Sequence, residues 1–205
     1  MIYGAKNWND PGIRYDQENN ILESFLKRSR ATGNCDFSLE SCNVEASCCA
    51  VEAVGSNFLF KIPPWMGQGD FMFDFLNSPK NLDMLLDGGG QTPPNEIIEN
   101  LARAITKLSD AKAIVMHCNE WLNEQIENHF LKSLEAGHAI VLSYLTDYGS
   151  GHYITIVGYD ANTGEFIVYD PWKGNKHCSR NGNQERYKIN FFTARMRPRF
   201  MEVYI

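Results

Sequence analysis

With 205 residues the chain is long enough for one domain with a full core, and 43% hydrophobic, 12% aromatic and 21% charged residues exclude the disordered, collagen-like and coiled-coil classes. Nineteen Lys and Arg against 25 Asp and Glu leave a formal net charge of -6, so nothing draws the chain to phosphate backbones or anionic lipid, and nucleic acid is not an expected partner. No stretch reaches the roughly 18 apolar residues of a membrane span, and the amino terminus lacks the apolar core of a signal peptide, so the expectation is a protein made in the cytoplasm with no integral membrane segment.

Residues 1 to 60 begin with a loop rich in Asn, Asp and Gly, followed by Ile21, Leu22, Phe25 and Leu26 at helical spacing and a second helix from about Cys42 to Val54. The middle stretch, 61 to 137, opens with KIPPWMGQGDF, whose prolines and glycines forbid a long regular element. Further on, Pro93 and Pro94 stand ahead of Ile97, Ile98, Leu101, Ile105 and Leu108, a helix with a marked start, and another helix runs from about Asn119 to Ala136 before Gly137. The last stretch holds HAIVLSYL, HYITIVGYD and EFIVYD, short runs of β-branched and aromatic residues that predict strands. Asp160 to Gly164 has the chemistry of a tight hairpin, so the second and third strands should pair antiparallel. Helices first and a sheet last predict an α+β fold in a single domain, 1–205, helical to about 137 and sheet from about 138.

Six cysteines, Cys35, Cys42, Cys48, Cys49, Cys118 and Cys178, without a secretion signal read as thiols. Structural zinc is the competing reading, but no C-x-x-C pair occurs and the vicinal Cys48-Cys49 is no ligand knuckle, so neither metal nor cofactor is expected. Cys42 falls in the first turn of its predicted helix, where unsatisfied N–H groups and the positive end of the dipole favour a thiolate nucleophile. The plainer alternative is a small apolar packing residue, which most free cysteines are.

His152 follows Gly151 at the mouth of a strand, a place expected to be exposed enough for proton exchange. Eighteen residues later, after one hairpin, Asp170 ends the partner strand ahead of Pro171. The hairpin makes the two neighbours, so the carboxylate can accept the imidazole N–H and leave the other ring nitrogen for a thiol, which completes a Cys42-His152-Asp170 triad. His117-Cys118 has no acidic partner at helical spacing, His138 lacks a hairpin-coupled Asp, Asp160 and Asn162 are explained by their turn, and the DGGG run lacks the Lys-Ser/Thr of a phosphate loop.

Three segments carry a resemblance to the bacteriocin-leader type of papain-like peptidase, cysteine peptidase family thirty-nine, and to its stand-alone bacterial and phage members: Cys42-Asn43-Val44-Glu45-Ala46, GHYITIVGYD from Gly151, and Tyr169-Asp170-Pro171-Trp172-Lys173-Gly174. The family's pattern has Thr-Ser where this chain has Glu45-Ala46. The resemblance covers about the first 60 and last 70 residues and implies a papain-like fold with helices carrying the nucleophile packed on a sheet carrying His and Asp. It also implies an oxyanion-hole glutamine, for which Tyr15-Asp16-Gln17-Glu18-Asn19-Asn20 offers Gln17, with Asn34 or Asp36 as alternatives. The implied activity is peptide hydrolysis through an acyl-enzyme, although acyl transfer uses the same groups. The phage likeness suggests an endolysin cutting peptidoglycan stem peptides or cross-links after release from the cytoplasm at host lysis, with a monomer assumed. A protein-processing or effector protease, an inactive papain-like binding module and a zinc-stabilised module remain the alternatives.

Overall fold

Strands buried on one face alternate apolar and polar residues, yet the runs after residue 138 are apolar almost throughout, which requires cover on both faces. The computed structural model, which describes residues 1–9, 42–57, 94–147, 149, 151–171 and 184–205, supplies that cover. Its elements are β1 (Ile2–Gly4), α1 (Cys42–Ala53), α2 (Pro94–Leu108), β2 (Lys112–His117), α3 (Asn123–Glu135), β3 (Ala139–Leu145), β4 (Gly151–Asp160), β5 (Glu165–Tyr169), β6 (Gln184–Tyr187), α4 (Ile189–Thr193) and β7 (Met196–Tyr204). Among the described residues, the strands form one seven-stranded antiparallel sheet in the order β2-β7-β3-β4-β5-β6, with β1 also paired to β4. The class is α+β, as expected.

The sheet separates two cores. On β4, Tyr153 and Val157 enter the core shared with α1 and α2, and Ile154 and Ile156 enter the one shared with α3 and α4. In the second, Phe130 of α3 meets Phe166, Phe192 and Phe200 edge-on at centroid distances of 6.1, 6.4 and 5.0 Å. The first core is built around α1, which is buried on nearly every side, the mark of a helix enclosed by a core rather than lying on it. On α2, Ile98, Leu101, Ile105 and Leu108 form the buried stripe that the sequence spacing predicts.

The predicted hairpin is present. Asp160 accepts the Asn162 N–H on Oδ1 at 3.0 Å and the Gly164 N–H on its carbonyl at 2.8 Å, and Gly164 takes the left-handed φ of 70° that closes the turn. Two strands of the sheet, β1 and β2, come from the part of the chain read as helical, and β6 and β7 were not recognised at all. β1 can lie against β4 because Gly4 has no side chain: a Cβ there would stand 2.4 Å from the Val157 carbonyl oxygen. Among the described residues no helix is long and apolar enough to cross a membrane. The first predicted helix, around Ile21 to Leu26, the Pro-Gly stretch after Lys61, Gln17, Asn34, Asp36, Cys35 and Cys178 lie outside the described residues.

Candidate active site

Residue 42 opens α1, so the unsatisfied N–H groups and positive dipole end of that helix lie at the Cys42 side chain. One turn later the Ala46 carbonyl accepts the Thr155 Oγ1–H at 2.7 Å, in a buried bond spanning 109 residues of sequence. Thr155 stands three residues beyond His152 on the same strand, so this bond fixes the start of α1 over the start of β4.

The hairpin supplies the other half. β4 and β5 pair Thr155 with Tyr169. Continued by one residue, the register puts Asp170 opposite Ile154, on the same face as His152 and diagonal to it. His152 Nε2–H donates to Asp170 Oδ1 at 2.6 Å, and the ring is also hydrogen-bonded with the Cys42 side chain, for which Nδ1 is the nitrogen left. The structure thus brings Cys42, His152 and Asp170 together. It corrects one expectation: His152 is only 3% exposed, and Asp170 1%, because Tyr144 lies edge-on against the imidazole at 5.7 Å and Cys42 and Asp170 occupy its two nitrogens. Cys42, at 9%, is the more accessible of the three.

Burial alone would push the His152 imidazolium toward losing its proton. The Asp170 charge and hydrogen bond, with help from Cys42, outweigh it and raise the His152 pKa to about 10. Burial pushes the Cys49 thiol far up, with Glu52 and Glu45 adding to it against a hydrogen bond with Thr155. Burial raises Cys118 as well. Cys48 and Cys49 are packed in the α1 core, the plainer fate of a free cysteine.

Two discounted histidines have acidic partners, though not at the helical or hairpin spacing the sequence reading considered. His117 ends β2 rather than leading into a helix, and its Nε2 lies 3.7 Å from Glu99 Oε1 in an exposed pair. His138 Nδ1 donates to Glu202 Oε2 at 3.0 Å, and His129 of α3 donates to the other oxygen. Both partners come from elements far off in sequence, which helical and hairpin spacing cannot reveal. Burial opposes the Glu202 charge, yet hydrogen bonds from His138, His129 and Ser133 hold its carboxyl below the ordinary range. That carboxylate ties α3 and β3 to β7.

The sequence also missed neighbours of the three residues. Tyr144 is the β3 partner of His152 in the ladder, and Tyr153 adjoins Cys42 in the same core. Glu185 of β6 has its carboxyl raised by burial and by the charge of Asp170. Tyr144 and Tyr153 lie in strands that were recognised, so pairing register was the signal that could have found them. Glu185 sits in a polar strand with no pattern to read.

The model of the Peptidase_C39 like family matches residues 89–194. That span includes His152 and Asp170 and begins after Cys42. It also takes in residues 89–137 of the middle stretch, to which the sequence motifs assign nothing. No curated protein matches the chain in sequence. Among solved structures, the active wild-type interpain A cysteine protease of Prevotella intermedia is similar at 13% identity and a TM-score of 0.40, covering 98% of both chains. The Pseudomonas avirulence protein AvrPphB is similar at 11% identity and a TM-score of 0.32, covering 98% of this chain and 96% of the other.

Proposed function

The chain belongs to the Peptidase_C39 like family and is a cysteine peptidase, and from that premise we propose that Cys42 is its nucleophile, His152 its general base and acid, and Asp170 the residue that orients His152. The observation that carries this reading is the double engagement of the His152 ring, Nε2–H on Asp170 and the other side on Cys42. Asp170 fixes the ring and stabilises its positive charge, so the Cys42 proton rests on His152 and the thiolate is free to attack the peptide carbonyl. His152 returns that proton to the leaving amine, and the acyl-enzyme forms. A water molecule, deprotonated by His152, then releases the acyl group. The backbone N–H of Cys42 at the helix start is the main-chain donor to the oxyanion, with Gln17 proposed as its side-chain partner.

The test is the rate of alkylation of each cysteine by iodoacetamide between pH 5 and 8, located by peptide mass mapping, in wild type and His152→Ala. Cys42 is expected to react fastest at low pH and to lose that advantage in the variant. An inert Cys42 beside a reactive Cys48 or Cys118 would remove the triad. The finer target, peptidoglycan stem peptides or cross-links cut after release at lysis, rests on the likeness of Asn43-Val44 after the cysteine, and of the DPWKGN and RNGNQERY runs after Tyr169, to phage and prophage proteins. Turbidity loss of permeabilised bacteria tests it, and no clearing across several wall types counts against it.

A further inference from the structure

Three described arginines have polar partners. Arg186 Nη1 donates to Asp160 Oδ2 at 3.0 Å, and Arg195 lies 3.2 Å from Asp147 Oδ1 with its guanidinium 5.1 Å over the Phe191 ring. Arg103, on α2, is held by Asn100. Arg195 Nη1 and Arg197 Nε are both buried without a hydrogen-bond partner, but no carboxylate pairs with the Arg197 guanidinium among the described residues, whereas Arg195 has Asp147.

The backbone places it deliberately. β3 and β7 pair Leu142 with Phe200 and Tyr144 with Met196, so one residue of β3, Ser143, faces three of β7, 197 to 199. Such a bulge breaks the ladder and re-aims the side chains within it. Arg197 is turned toward Gly151, the residue before His152: a Cβ on Gly151 would stand 3.4 Å from Arg197 Nη2, 3.9 Å from its Nε and 3.8 Å from Ser143 Oγ. Gly151 is exposed and has no side chain, so no side chain at that position covers the neighbouring Arg197 Nη2 at the strand mouth, while Nε is buried. Tyr153, two residues beyond Gly151 on the same strand, shares a hydrogen bond with Ser143 and interacts electrostatically with both Cys42 and Arg197. Arg197, Ser143 and Tyr153 therefore form a polar wall next to the nucleophile.

Resting on the assignment of Cys42 and His152, we infer that Arg197, with Ser143, forms a specificity subsite that binds an acidic side chain of the peptide substrate. A half-buried guanidinium with no carboxylate partner among the described residues has its charge open to an anionic ligand, and its planar fork of donors matches a carboxylate in two parallel hydrogen bonds. A molecule of net charge -6 repels anionic ligands at long range, so recognition of an acidic residue needs such a local cation. The Ser143 hydroxyl adds a neutral donor on the same side.

The experiment uses short peptidyl chloromethyl ketones in which each position in turn carries Glu or its neutral isostere Gln, with adducts at Cys42 measured by mass mapping. In wild type, one position is expected to label about tenfold faster with Glu than with Gln. Arg197→Gln should abolish that ratio, Arg197→Glu should invert it, and Arg197→Lys should keep part of it, each ratio being read between Glu and Gln probes on the same variant. A ratio near one at every position in wild type overturns the inference without any variant, and a ratio that survives in Arg197→Gln overturns it too. Iodoacetamide separates the two readings: if Cys42 alkylates fast and depends on His152 while Glu and Gln probes react alike, the subsite alone falls. If Cys42 is no more reactive than Cys49 or Cys118, the peptidase site falls and the subsite with it.

Discussion

Two carboxylates flank the His152 region, and only one is positioned to work on the ring. Asp170 Oδ1 is 2.6 Å from Nε2, whereas Glu185 has its own carboxyl raised by burial first and by the charge of Asp170 second. The protonated state of His152 is the sum of burial, which disfavours it, and Asp170 and Cys42, which favour it more. Asp170→Asn removes the largest favourable contribution and leaves burial to act. The His152 ring should then lose its proton well below pH 10, followed by NMR of the ring, and kcat/KM on a cleaved peptide should fall by about 10²–10⁴-fold. Retention of both the ring's protonation and the activity would show that Asp170 does not orient the base.

Between elements, what matters is that α1 and β4 meet in register, because the thiol and the imidazole sit at their respective starts. The Thr155–Ala46 hydrogen bond is the polar pin in an otherwise apolar contact. Thr155→Val keeps the shape and leaves the Ala46 carbonyl buried with one acceptor bond fewer. The expected loss is about 1–3 kcal/mol of stability, and each kcal/mol lowers Tm by roughly 2–4 °C in a chain of this length. Calorimetry reads the first effect. The Cys42 alkylation rate reads the second, since a helix start that shifts against β4 loosens the thiol from His152.

At the scale of the whole molecule, the same buried charges set opposite limits on the stable pH range. Glu202 has a folded carboxyl below its ordinary 4.5, so its contribution is complete above that value and is lost as pH falls through the lower folded one. His152 is raised from 6.5 to about 10, so its contribution is complete below 6.5 and fades as pH rises toward 10. Together they favour the native state most between about 4.5 and 6.5. In thermal unfolding at a series of pH values, the Tm advantage of wild type over Glu202→Gln should shrink toward acid, and that over Asp170→Asn should shrink toward alkali. Differences that do not vary with pH would mean that neither group carries the linkage.

The sequence by itself determined the helix that starts at Cys42, the β4–β5 hairpin and the adjacency of His152 to Asp170, because each depends on local spacing, turn chemistry and the pleat of one hairpin. It also determined the α+β class, since long helical stripes and short β-branched runs have different periods. Only the tertiary structure decided which helix end meets which strand end, through a bond as distant in sequence as Thr155 to Ala46. It alone added β1, β2, β6 and β7 to the sheet: β1 is three residues long, β6 is polar, β7 is interrupted by Pro198, and β2 is a short apolar run between two helices whose pairing with β7 no local spacing encodes. It alone buried His152, gave His138 a carboxylate partner across the β3–β7 ladder and turned Arg197 toward Gly151. Each of these depends on pairings between strands far apart in the chain, and no spacing within a single segment encodes them.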